Sequence, residues 1–144
     1  MRRGLAIVAA LVAAPLALGA GARAEGDLGA KGTQLDDLVV GTGESGFGVS
    51  KKEYQLTTGK LYQLKIKATG AKECAWEAPG LASTVWLRKV EAGGIEIKAP
   101  TFTEIEFEDD GEAELFFVPI RTGTFPWRCR GMESRGMAGT FVVK

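Results

Sequence analysis

Between Cys129 and Met137 the chain places a thiol, a thioether three residues on at Met132, and a second thioether at Met137. Thiolates and thioethers are soft donors. They suit Cu(I) and other soft centres far better than hard cations. Methionine usually fills cores, but these two lie in a loop with Gly131, Gly136 and Gly139 rather than along a periodic stripe. The other cysteine, Cys74, sits in K-E-C-A-W-E (72–77), with Glu73, Glu77 and Trp76 beside it. The sequence has no histidine. Ser–His and Cys–His nucleophile systems are therefore impossible, and a zinc hydrolase would lack its usual imidazoles. On this inventory the expectation is that the protein is not an enzyme.

Residues 1–24 read as a secretory signal peptide. Arg2 and Arg3 precede an apolar run that ends near Gly19, and Ala22-Arg23-Ala24 is a small-x-small cleavage site. The run falls short of the roughly 20 residues a membrane span needs. The expectation is a periplasmic or secreted protein with no membrane attachment after cleavage. Removing Arg2, Arg3 and Arg23 leaves 15 basic against 18 acidic residues, a net of −3. A weakly acidic chain has no electrostatic case for nucleic acid, whose binding rests on neutralising phosphates. An oxidising compartment leaves two cysteines as ready to pair as to stay free.

The elements that must position these sulfurs read as strands. The polar, glycine-rich stretch 25–36 reads as a flexible tail, and 37–144 as one domain. Leu61, Gln63, Lys65 and Lys67 alternate with Tyr62, Leu64 and Ile66, a period of two. Runs at 38–40, 54–58, 95–98, 103–108, 113–118, 124–128 and 140–144 continue the pattern, with Gly, Pro and Asp-Asp-Gly turns between them. Such spacing predicts an all-β sandwich or barrel. Residues 80–90 are the one candidate helix, or else an irregular crossover. G-T-G-E-S-G at 41–46 matches a dinucleotide-binding fingerprint in letters, but no helix follows to hold a pyrophosphate. In E-I-E-F-E-D-D (104–110) the glutamates alternate with Ile105 and Phe107, which makes a solvated strand face and not a catalytic carboxylate pair.

The last third of the chain resembles the end of a cupredoxin. F-P-W-R-C (125–129), C-R-G-M (129–132), G-M-A-G (136–139) and the final strand T-F-V-V-K follow that family's copper loop. The resemblance implies a Greek-key β-sandwich over most of 37–144. Cys129 matches the copper thiolate and Met137 the axial thioether. Met132 stands where the second histidine belongs, and Cys74 is the ligand-type residue where the first belongs. With both imidazoles missing, a blue copper centre is not expected. K-E-C-A-W-E is also similar to cupredoxin-like domains of periplasmic metal-uptake proteins, which would give Glu73 and Glu77 a part in binding iron or another metal. Two readings of the sulfurs follow. Cys74, Cys129, Met132 and Met137 bind copper as Cu(I), for copper handling or electron transfer, or Cys74 and Cys129 form a disulfide on a scaffold that binds no metal and docks a partner. In either, Trp76, Trp127 and Glu77 would surround the site. Arg128, Arg130 and Arg135 would offer a protein partner a cationic loop end.

Overall fold

The computed structural model describes residues 31–144. The signal peptide and residues 25–30 of the expected tail lie outside the described residues. The strands are β1 (Thr33–Gln34), β2 (Leu38–Thr42), β3 (Gly48–Val49), β4 (Glu53–Leu56), β5 (Tyr62–Thr69) and β6 (Cys74–Glu77), then β7 (Val85–Ala92), β8 (Ile95–Ile97), β9 (Ile105–Phe107), β10 (Asp110–Pro119), β11 (Gly123–Cys129) and β12 (Ala138–Val143). One short helix, α1 (Pro79–Ala82), lies between β6 and β7.

Alternation decides which side chains go inside. On β5, Tyr62, Leu64, Ile66 and Ala68 are buried, and Gln63, Lys65 and Lys67 between them are not. A side chain's direction reverses at every strand residue, so one face collects the apolar groups. The first sheet runs β3-β2-β5-β10-β7-β8, with β1 added alongside β5. The second runs β4-β12-β11-β6-β9. Leu38, Val40, Leu64, Ile66, Leu115 and Phe117 on the inner face of the first sheet meet Tyr54, Leu56, Trp76, Trp127, Phe141 and Val143 on the second. Each large side chain so buried contributes about 1.5–3 kcal/mol. Thr33–Gln34, inside the expected tail, pairs in parallel with Tyr62–Gln63 of β5.

The candidate helix at 80–90 is corrected. Within this stretch helix is confined to the single turn of α1, and Val85–Ala92 is strand β7. Pro79 opens the turn, where its missing N–H costs nothing. Thr84 closes it by donating its hydroxyl to the Gly80 carbonyl at 2.9 Å. The misreading has a cause. The ladder between β7 and β10 slips at Phe116/Phe117, where Phe116 faces Lys89 and Phe117 faces Leu87. Arg88 is the extra residue of this bulge, so the buried positions Leu87 and Val90 fall three apart, a helical spacing, instead of two.

Candidate functional site

β6 and β11 are neighbours in the second sheet, with Cys129 opposite Trp76 and Arg128 opposite Glu77. Cys74 lies two residues before Trp76 and so points to the same inward face. It meets Cys129 on the diagonal, and the two are joined in a disulfide with S–S 1.99 Å and Cα–Cα 5.0 Å. Both residues are completely buried. Of the two alternatives for the cysteines, the structure contains the covalent one, and neither is free.

The loop after Cys129 folds back on itself. The Cys129 N–H donates to the Met137 carbonyl at 2.9 Å, and the Met132 N–H donates to the Cys129 carbonyl at 3.0 Å. A single 3-10 turn, Glu133–Arg135, follows, and Gly136 ends it with φ +96°, a backbone that favours glycine. This return brings Met137 into the core with no exposure, beside the cysteines, whereas Met132 is half-buried at the core's edge. The structure therefore gathers Cys74, Cys129 and Met137, with Met132 at the margin.

Trp76 and Trp127 are both fully buried in the cluster that holds the disulfide, and among the described residues neither indole N–H has a hydrogen-bond partner. Phe102 stacks on Trp76, with ring centroids 5.9 Å apart and planes 23° apart. Sequence reasoning missed Phe102. The only signal was a lone aromatic in the polar loop between β8 and β9.

The cationic loop end is not a free cluster. Arg128 is bound to Glu77 at 2.5 Å and to Glu133 at 3.2 Å, and Arg130 pairs with Glu104. The Glu77 hydrogen bond, with that carboxylate's charge, raises the Arg128 pKa further. Arg135 lies over the Phe47 ring at 4.6 Å. These contacts are exposed and weakly stabilising, but they engage all three arginines. Glu73 is exposed and Glu77 is held by Arg128. Among the described residues no group of three or more His, Cys, Asp or Glu could hold a metal.

A blue copper centre does not fit these residues, since there is no imidazole and the disulfide leaves no thiolate. The dithiol form, with the Met137 thioether, would be a soft donor set that fits Cu(I).

No family model matches the sequence, and no curated protein matches it. Solved structures do. A multicopper oxidase from Campylobacter jejuni, described as a metallo-oxidase, is 16% identical over 80% of this chain and 31% of its own, with TM-score 0.54. A laccase from Pediococcus acidilactici is 10% identical over 78% of this chain and 27% of its own, with TM-score 0.60. A copper nitrite reductase from Nitrosomonas europaea is 11% identical over 66% of this chain and 33% of its own, with TM-score 0.52. The chain thus spans about a third of the length of these proteins. The expectation that the protein is not an enzyme is overturned, because the structures sharing the fold are oxidases and a reductase. The missing histidine speaks only for this one domain's own residues, and the fold itself is one that enzymes use. At these identities the likeness establishes architecture: the chain has the cupredoxin-like β-sandwich fold.

Proposed function

We propose that the chain is an exported cupredoxin-fold domain for copper handling, with Cys74 and Cys129 as a redox pair that gates the metal. Closed as a disulfide, the pair offers no thiolate. When a dithiol reductant supplies two electrons, the S–S bond breaks, two thiols form, and the reductant leaves as its own disulfide. Both cysteines then lose their protons to hold Cu(I), with the Met137 thioether as third donor and Met132 as a peripheral fourth. The bound ion would supply a soft cation that other sulfur sites can receive. The observation that carries this reading is that Cys74 and Cys129, 55 residues apart, are joined with zero exposure, and that Met137, also with zero exposure, accepts the Cys129 N–H at its carbonyl.

A second reading is favoured by how deep the bond lies. Trp76, Trp127 and Phe102 pack over the cluster, and a reductant must pass them. In that reading the disulfide is a permanent tie, and the domain is a partner-binding module on a cupredoxin scaffold. Native mass spectrometry of the mature protein, before and after Cu(I) is offered under mild reduction, separates the two. One copper per chain, absent in Cys129→Ser, is the result expected for the gated site. A two-hydrogen deficit that survives reduction, with no copper adduct, would leave only the permanent tie.

A further inference from the structure

β3 and β8 end the path of the first sheet, and β4 and β9 end the second. Edge strands offer unpaired backbone groups to other chains, and natural edges are guarded by charge, proline or short length. β4 presents Glu53 and Gln55 to solvent, and β9 presents Glu106. β8 differs. Its Ile95 is 62% exposed and its Ile97 is 43% exposed.

The hairpin geometry fixes which backbone groups of β8 are free. β7 and β8 are joined by Gly93-Gly94, both with positive φ, and Ala92 faces Ile95 across the turn. In a two-residue hairpin the closing pair exchanges both backbone hydrogen bonds, and bonded and non-bonded pairs alternate from there. Ile95 and Ile97 thus turn their N–H and C=O toward β7, and Glu96 turns its own toward the free edge, as does Lys98 just after it.

We propose that β8 pairs antiparallel with β8 of a second copy, about a two-fold axis at Ile97, joining two first sheets edge to edge. In this register Ile97 faces the partner's Ile97, the close non-bonded position where side chains meet best. Glu96 faces the partner's Lys98, and Lys98 faces the partner's Glu96, so both cross-copy pairs are of opposite sign. Centring on Glu96 instead would set two carboxylates against each other, which is destabilising. Within its own chain Glu96 is held by Lys98 at 2.7 Å and by Lys89 at 2.8 Å, so on pairing Lys98 exchanges its carboxylate for the partner's while Lys89 stays on Glu96. On the inner face beside Ile97 lies a hollow of about 350 Å³ walled by Val90, Phe102 and Ile105. The partner's Ile97 would stand at its mouth. An isologous contact of this kind closes at two copies, and Pro100 stops the ladder from lengthening.

Sedimentation velocity of the mature protein, from low micromolar to near-millimolar concentration, tests this. The expected result is a reversible monomer–dimer equilibrium. Ile97→Lys and Lys98→Glu should each weaken it by about tenfold or more. The double variant Glu96→Lys/Lys98→Glu, which restores opposite signs, should recover to within about threefold of the native constant. Circular dichroism should show all variants folded. A native chain that stays monomeric throughout, a dimer indifferent to Lys98→Glu, or a folded double variant that fails to recover would each overturn the pairing.

Discussion

Gly139 faces Trp127 across the ladder between β11 and β12, and there is no room for a side chain between them. A Cβ on Gly139 would stand 2.6 Å from the Trp127 indole nitrogen and 2.0 Å from the Lys52 carbonyl oxygen. That carbonyl accepts the Thr140 N–H at 2.7 Å, on the edge where β4 joins β12 in parallel. The second glycine of the G-M-A-G loop is therefore required by packing, whether or not a metal ever binds. Gly139→Ala should destabilise the fold by about 1–3 kcal/mol, the usual cost of overpacking a full core. Urea unfolding followed by tryptophan fluorescence checks it, and a change below a few tenths of a kcal/mol would show that β4 can retreat freely.

The disulfide closes 55 residues of chain. In the loop-entropy account such a closure stabilises by about 4 kcal/mol, through constraint of the unfolded chain. The Cys74→Ala/Cys129→Ala double variant should lose roughly that much in denaturant unfolding. Free thiols counted in folded wild-type protein held in reductant, without denaturant, should rise within minutes only if the reductant penetrates. Thiols that appear only as slowly as the folded protein globally unfolds, beside a destabilised double variant, would show that the bond is shielded in the native state and would weigh against gating.

The fold was legible wherever strands alternate cleanly. β5 shows it best, because Tyr62, Leu64 and Ile66 carry a period that nothing interrupts. β7 was not legible, because one bulged residue, Arg88, converts its period into something helix-like, and only the pairing with β10 reveals the slip. The four sulfur residues were legible as a group from their types and from the resemblance of their loop. Whether Cys74 reaches Cys129 was not, since that depends on β6 lying next to β11, a neighbour relation 55 residues apart in sequence. The contacts of the arginines were not legible for the same reason. Arg130 looks free along the chain and becomes paired only when β9 brings Glu104 alongside.

Phe102 offers a direct test of access to the site. Its ring stacks on Trp76, whose own position is opposite Cys129. Phe102→Ala should cost about 1 kcal/mol for the lost aromatic contact, and it should uncover one face of the indole. The more telling readout is kinetic. The rate of disulfide reduction by a small dithiol should rise by more than the loss of global stability accounts for, with a red shift in tryptophan emission. Reduction rates that merely track stability would mean that the bond opens only through global unfolding, and that the loop between β8 and β9 is no gate.

Tyr54 sets an alkaline limit on stability. Its ring is buried against Phe141 with centroids 5.3 Å apart, and its hydroxyl donates to the Asp36 carbonyl at 3.1 Å. Burial first, then the Asp36 and Asp37 carboxylates, raise its pKa well above the ordinary 10.0. The folded chain therefore keeps a proton that the unfolded chain releases from about pH 10 upward. Tyr54's contribution is fully present below that pH and declines as pH rises toward the folded value. Unfolding free energy should fall more steeply above pH 10 for the native protein than for Tyr54→Phe. At neutral pH the variant should be the weaker of the two by about 1 kcal/mol, the worth of its lost hydrogen bond. The two curves should converge as pH rises, and parallel curves through pH 11 would mean that the Tyr54 phenol ionises as readily in the fold as in the open chain.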